Sequence, residues 1–218
     1  AFNIEVIGIP GFEADDLIGT LARKAETSGF TTYMMTPDKD YGQLVDENTF
    51  IYKPARLGNG VEILGVNEIC KKWEITNVNQ VIDILGLMGD SVDNIPGIPG
   101  VGEKTAIKFV QEYGSVEGLL QNTDKLKGKM KEKVEANKDL AIQSKKLATI
   151  ILDCPINFDE EKLKLKEYNN DALLELFTEL EFRNLAQRIL SKDIPSNQNT
   201  TFKTKSNEGQ TDLFSTAN

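Results

Sequence analysis

Seven carboxylates, gathered in three short stretches, are the residues of this chain best suited to chemistry. Glu13, Asp15 and Asp16 come first, Asp38 and Asp40 next, Asp90 and Asp93 last. Asp38 and Asp40 are two apart, so an extended segment puts both on one side. Asp90 and Asp93 are three apart, so a helical turn puts both on one face. Acidic residues at a helix start also complement the macrodipole, which is a purely structural use for Glu13, Asp15 and Asp16. Three acidic clusters in one small domain nevertheless repel unless cations hold them, which favours a divalent-metal site over three solvated faces. The sequence contains no histidine, and its two cysteines, Cys70 and Cys154, lie far apart without a partner motif. Histidine triads and histidine metal ligands are therefore excluded, and neither a disulfide framework nor a thiolate zinc site is suggested. Oxygen-only donors suit hard ions such as Mg²⁺ or Mn²⁺.

A second feature follows the last acidic pair. Residues 95–102 hold two prolines and three glycines in eight positions, a composition that demands a tight, backbone-exposed turn. Helical periodicity resumes at Glu103. A turn of this kind aims free N–H groups at a helix N-terminus, where an anion such as a phosphate is favoured, and Lys104 and Thr105 add a charge and a hydroxyl. The plainer reading is a tight corner between two helices.

The elements that must position these groups read as α/β. Residues 2–7 alternate like a strand that Pro10 and Gly11 end, and apolar residues at 14, 17, 18, 21 and 22 predict a helix that Gly29 caps. Residues 30–35 read as a second, buried strand. Strand, helix, strand implies a parallel sheet, with both early acidic groups at C-terminal strand ends, where open α/β sheets place their sites. Residues 50–53 and 60–64 read as a hairpin around 57–60, and 67–73 and 78–88 as helices, with Trp73 in the core. Helices are expected over 115–121, 124–137 and 138–149. Residues 157–191 read as further amphipathic helix, with Leu173, Leu174, Leu176, Phe177, Leu180, Phe182, Leu185, Ile189 and Leu190 as its apolar face. The predicted fold class is thus α/β, a mostly parallel sheet with flanking helices, followed by an all-α part. The expected division is 1–93, 94–193 and a polar tail or linker over 194–218.

At 218 residues the chain can bury a sizeable core, and no apolar run reaches a membrane span, so a soluble, cytoplasmic protein without a membrane partner is expected. The net charge of −9 argues against a nucleic-acid partner, but its distribution does not. Between Gly97 and Ile150, ten lysines against seven acids leave +3. The lysines at 125–133 read equally as a solvated helix face or a phosphate-tracking one.

Together the motifs resemble a known family. Pro10-Gly11-Phe12-Glu13-Ala14-Asp15-Asp16, Pro37-Asp38-Lys39-Asp40-Tyr41-Gly42-Gln43-Leu44 and the run from Gly89 through Gly97, Gly100 and Gly102 to Ala106 are similar to the 5′ nuclease superfamily. The version in the 5′→3′ exonuclease domain of bacterial DNA polymerase I is the most similar, over about residues 4–191. The resemblance implies a PIN-like core with a helix-three-turn-helix subdomain, and metal-dependent hydrolysis of DNA 5′ ends and flaps in replication and repair. It implies two or more Mg²⁺ or Mn²⁺ ions on Glu13, Asp15, Asp16, Asp38, Asp40, Asp90 and Asp93. Gly97, Gly100, Gly102, Lys104 and Thr105 fall where the family grips duplex DNA, with K⁺ held by turn carbonyls; Lys39 reads as a DNA-side or site-screening residue or, equally, as a solvated turn residue. Polymerase domains of the same parent chain are implied partners. The family also opens with a strand bearing another metal-binding aspartate and with a basic helical arch, neither of which this sequence shows, so the chain is expected to be a fragment. The alternative is a non-catalytic duplex-DNA-binding module; a phosphatase or ribonuclease would leave the glycine turn unexplained. In the tail, Gln210, Leu213 and Phe214 resemble peptides that dock on the bacterial sliding clamp.

Overall fold

The computed structural model describes residues 1–54 and 60–190. They form two units, one of Val6–Glu160 and one that joins Ala1–Glu5 to residues 161–190. The tail and its Gln210, Leu213 and Phe214 lie outside the described residues.

In the larger unit, α1 (Ala14–Thr27) starts where the Glu13 N–H donates to the Asp16 carboxylate (3.2 Å), so an acid of the first turn also caps the helix. Leu17, Ala22 and Ala25 form its buried face. The sheet has the order β1-β2-β3. β1 (Thr32–Met35) runs parallel to β2 (Thr49–Pro54), with Met34 opposite Ile51, and β2 runs antiparallel to β3 (Val61–Leu64), with Ile51 opposite Leu64. The sheet is therefore mixed rather than mostly parallel. The expected hairpin is β2 and β3; residues 57–59 of its turn lie outside the described residues.

Two strand expectations need correcting. β1 is an edge strand whose sheet face is covered on one side, so Met34 is buried while Tyr33 and Met35 are exposed on its other face. Residues 2–7 form no strand. Alternation stabilises a strand only beside a partner, and here Asn3 adopts a left-handed backbone (φ +54°) and Phe2 packs on Tyr168 and Phe177 of its own unit. Ile4 and Val6 are left exposed.

The helices are α2 (Val66–Trp73), α3 (Gln80–Met88), α4 (Glu103–Tyr113), α5 (Val116–Gln121), α6 (Gly128–Ala136) and α7 (Lys138–Ala148). One continuous core runs from Met34 and Ile51 on the sheet through Trp73 and α3 to Ile150. α3 is its axis, with Val81, Ile84, Leu85 and Leu87 buried. A Cβ at Gly86 would lie 2.7 Å from Lys145 Cα, so α3 and α7 touch backbone to backbone. The helix expected over 124–137 is broken into a 3-10 turn, Thr123–Lys125, and α6. Residues 157–191 likewise split into α8 (Glu160–Leu163), α9 (Asn170–Glu179) and α10 (Arg183–Leu190), the last two parted where Glu181 takes a left-handed φ of +55°. Leu173, Phe177 and Ala186 form the small core there, whereas Leu174, Leu176, Leu180 and Phe182 are exposed.

Asp83 on α3 ties the helices together. It is buried, accepts from the Val116 N–H at the start of α5 (2.9 Å) and pairs with Lys145 of α7 (2.6 Å). Removing Asp83 leaves the buried Val116 N–H without its acceptor and Lys145 with Glu117 alone (2.7 Å). Asp83→Ala should lower unfolding stability by about 2–4 kcal/mol in urea titrations.

Candidate metal centre and nucleic-acid interface

Asp90 and Asp93 sit on a turn closed on itself rather than on a helix. After α3 the chain doubles back, with Asp90 N–H donating to Ile95 O (2.8 Å) and Ile95 N–H to Asp90 O (2.7 Å). Two glycines make this possible. Gly89 and Gly97 both have left-handed φ, and a Cβ on either would come within 2.5 Å of the other strand of the turn. The expectation of two acids on one side holds, though the backbone that achieves it is a glycine-pinched loop.

Asp38 and Asp40 follow β1. Asp38 accepts from the Asp40 N–H (3.0 Å), and a 3-10 turn, Asp40–Leu44, begins there. Gln43, buried, donates to Ala148 O (2.9 Å) and accepts from Ile150 N–H (2.9 Å), which fastens the turn to the end of α7. The two loops meet: ligand oxygens of Asp40, Asp90 and Asp93 all lie within 4.8 Å of one another. Asp40 Oδ1 is buried without a hydrogen-bond partner. Lys39 pairs with Asp90 Oδ2 and stands 3.6 Å from Asp40 Oδ1. A buried oxygen with no hydrogen-bond partner, three converging carboxylates and a cation drawn among them fit a hard divalent ion.

Glu13, Asp15, Asp16, Asp38, Asp40 and Asp93 line one cavity of about 1040 Å³; Asp90 borders a neighbouring hollow and reaches the group through Asp40 and Asp93. Asp16 differs from the rest. Its oxygens accept from the Glu13 and Ile151 N–H groups (3.2 and 2.8 Å), so it also anchors α1 to the far wall. Thr20 adds to that anchor, donating to Ile151 O and accepting from Cys154 N–H. The wall itself, 146–153, includes Lys146 and an eighth acid, Asp153, which the sequence reading missed because no spacing links it to the others.

Electrostatics join the groups. Burial pushes the Asp40 carboxyl up to about 6; Lys39 opposes this, while Asp38, Asp90 and Asp93 add to it. Asp15 is also raised, by burial and then by Asp16 and Asp38. Asp38 thus acts on both sides of the cluster. Burial and the charges of Asp15 and Asp38 push Tyr41 up to about 12. Asp90 is held below the usual range by hydrogen bonds from Lys39 and the Val92 N–H.

Beyond Asp93 lies the glycine turn. Gly100, Gly102 and Lys104 are exposed and Thr105 is half-buried. Gly97 is not available at the surface: it is buried, and its N–H donates to Ser144 Oγ (3.0 Å). Among the described residues, the N–H groups of Gly100, Gly102, Glu103 and Lys104 donate to no protein acceptor. Lys133 of α6 carries its ammonium over Gly100, where a Cβ would collide with it. Only the general lysine richness of 125–133 signalled this residue.

Residues 1–74 match the family described as 5′-3′ exonuclease, N-terminal resolvase-like domain, and residues 76–171 match 5′-3′ exonuclease, C-terminal SAM fold. The chain belongs to the 5′-3′ exonuclease family. It is 42% identical over 190 residues to DNA polymerase I of Caldicellulosiruptor bescii, covering 87% of this chain and 22% of that protein. The chain thus spans about a fifth of the length of the curated relatives it matches. The structure of divalent metal ions (zinc) bound to the 5′-exonuclease of bacteriophage T5 superposes with a TM-score of 0.58 at 22% identity, over 65% of this chain and 51% of that one. The catalytic core of Rad2 in complex with DNA substrate gives 0.59 at 19% identity, over 88% of this chain and 66% of that one. These two likenesses establish the fold.

The charge arrangement has a signature in metal-free protein. Asp40 holds its proton more tightly folded than unfolded, so ionising it opposes folding, and its effect on stability worsens as pH rises from about 4 to about 6. Asp90 has the opposite sign, and its stabilisation is lost only as pH falls below the ordinary carboxylate range. In chelator, stability relative to Asp40→Asn should fall by about 1–2 kcal/mol over that rise, solvent screening having trimmed the full shift. Urea titrations of both chains from pH 4 to pH 7, bracketing the shift, measure it.

Proposed function

We propose that this chain is the 5′ nuclease part of a bacterial DNA polymerase I. On this reading it is a divalent-metal-dependent 5′→3′ exonuclease and structure-specific 5′-flap endonuclease that hydrolyses DNA phosphodiesters in replication and repair. The observation that carries the proposal is the convergence of carboxylates from three distant segments on one cavity, next to a turn with free N–H groups. The T5 and Rad2 neighbours, one with divalent ions and one with a DNA substrate, support it by analogy.

Asp40, Asp90 and Asp93 would hold one ion; Glu13, Asp15, Asp16 and Asp38 would hold another or bind it through water. Bound Mg²⁺ or Mn²⁺ supplies Lewis acidity for water activation and charge neutralisation at the leaving oxygen. The chain's residues do the positioning. Gln43 and the Asp90–Ile95 turn fix where the carboxylates stand, and Tyr41, kept neutral, lines the cavity without adding charge. Residues 1–93 would supply the catalytic core and 94–193 the grip on duplex DNA. In that grip Gly100, Gly102, Lys104, Thr105 and K⁺ would meet phosphates, and Gly97 would shape the turn. Lys39 would meet the strand from the cluster side. Polymerase domains of a parent chain, a sliding clamp at Gln210, Leu213 and Phe214, and a cytoplasmic setting belong to the same proposal. No helix among the described residues is long and apolar enough to cross a membrane.

The test is cleavage of a 5′-flap duplex, labelled at its 3′ end, in Mg²⁺, Mn²⁺ and chelator. Metal-dependent products are expected. DNA binding without products from folded protein would favour the binding-module alternative. Asp15→Ala and Asp38→Ala should each lower cleavage at least about a hundredfold while duplex affinity stays within about threefold. Full activity in both variants would defeat the metal assignment. Lys104→Ala should weaken duplex binding and flatten the salt dependence of log affinity by about one unit, read from binding isotherms across salt concentrations.

A further inference from the structure

We propose that Lys39 is the resident cation of the carboxylate cluster, and that a divalent ion enters at Asp40 and Asp90 by displacing its ammonium. The inference rests on the metal reading above. It starts from a charge imbalance. Asp40, Asp90 and Asp93 bring ligand oxygens within 4.8 Å of one another, and Asp38 faces the same group. Lys39 is the only cation among the described residues that pairs with any of the three. Its Nζ binds Asp90 Oδ2 and stands 3.6 Å from Asp40 Oδ1, with about two-thirds of the side chain buried.

At 3.6 Å the ammonium attracts Asp40 without hydrogen-bonding Oδ1, which keeps no hydrogen-bond partner of its own. One monovalent point charge therefore covers part of a site that offers more oxygens than it can satisfy. A divalent ion on the same oxygens repels the ammonium, so the two occupants exclude each other. The exchange requires only side-chain motion. Lys39 leads into the 3-10 turn Asp40–Leu44, whose Tyr41 to Leu44 are buried and whose Gln43 is fastened at both ends, so the backbone stays and the four-carbon stem swings. Neutralisation of the cluster thus passes from a covalently attached cation to a diffusible one.

The experiment uses the 218-residue chain stripped of metal, with Mn²⁺ alone as probe and no DNA. Titration calorimetry should give Lys39→Met, which keeps the stem and loses the charge, about tenfold tighter Mn²⁺ binding than the wild type. Its thermal midpoint in chelator should fall by several degrees, and its midpoint rise on adding Mn²⁺ should be larger. Lys39→Arg should bind Mn²⁺ no more tightly than the wild type. In the wild-type chain, acylation of Lys39 by a lysine-directed reagent, read by peptide mass mapping, should accelerate on Mn²⁺ saturation. That measurement stands even if Lys39→Met fails to fold, and unchanged or slower labelling overturns the proposal. Wild-type Mn²⁺ binding with equal or weaker binding by Lys39→Met overturns this inference alone. No Mn²⁺ binding by any of the three chains overturns the metal reading with it.

Discussion

Repulsion between like charges held at close range governs this molecule. Three carboxylates whose oxygens lie within 4.8 Å, with Asp38 acting on the same group and on Asp15, would drive a soft scaffold apart. The fold resists by placing each acid on a stretch whose backbone has no slack. Asp40 begins a turn that Gln43 bolts to α7, Asp90 and Asp93 ride a loop closed by reciprocal backbone hydrogen bonds, and Asp16 bonds to two segments at once. Preorganised charge of this kind is what an oxygen-ligated ion needs, because the ordering cost falls on folding rather than on binding.

The same rigidity explains why the helical part is inseparable from the sheet. The wall of the cavity that follows α7 is fixed by its hydrogen bonds to Thr20, Gln43 and Asp16, elements of the sheet side. In turn α7 lies against α3 so closely that Gly86 has no room for a side chain. One core therefore carries the turns of Asp40, Asp90 and Asp93, while the acids of α1 stand beside a smaller cluster of Leu17, Cys154 and Ile156.

Much of this was legible in the sequence, and the failures share a cause. Helix periodicity located α1, α2, α3, α4 and α7 to within a few residues, since 3.6-residue spacing is a local property. The three acidic clusters and the glycine turn were visible as composition. Strand-like alternation over 2–7 misled, because a strand exists only with a neighbour, and Phe2 found aromatic partners instead. The burial of Gly97, the double duty of Asp16, the approach of Lys133 to Gly100 and the presence of Asp153 in the wall all depend on contacts across tens of residues. No local pattern encodes such contacts. Asp90 and Asp93 form an intermediate case: their pairing was foreseen from helical spacing, yet a glycine-pinched loop delivers it.

That loop has a thermodynamic consequence. Residues 89–102 are one short run of backbone, with carboxylates at one end and free N–H groups at the other, and Gly97 and Ile98 pin its middle to Ser144 and Leu87. Occupants of the two ends share a single ordered segment. Whatever shifts one end reaches the other only through that pinned middle, and any coupling so transmitted is equal in both directions. On the proposed reading, cation and phosphate affinities would be linked to the extent that this middle yields.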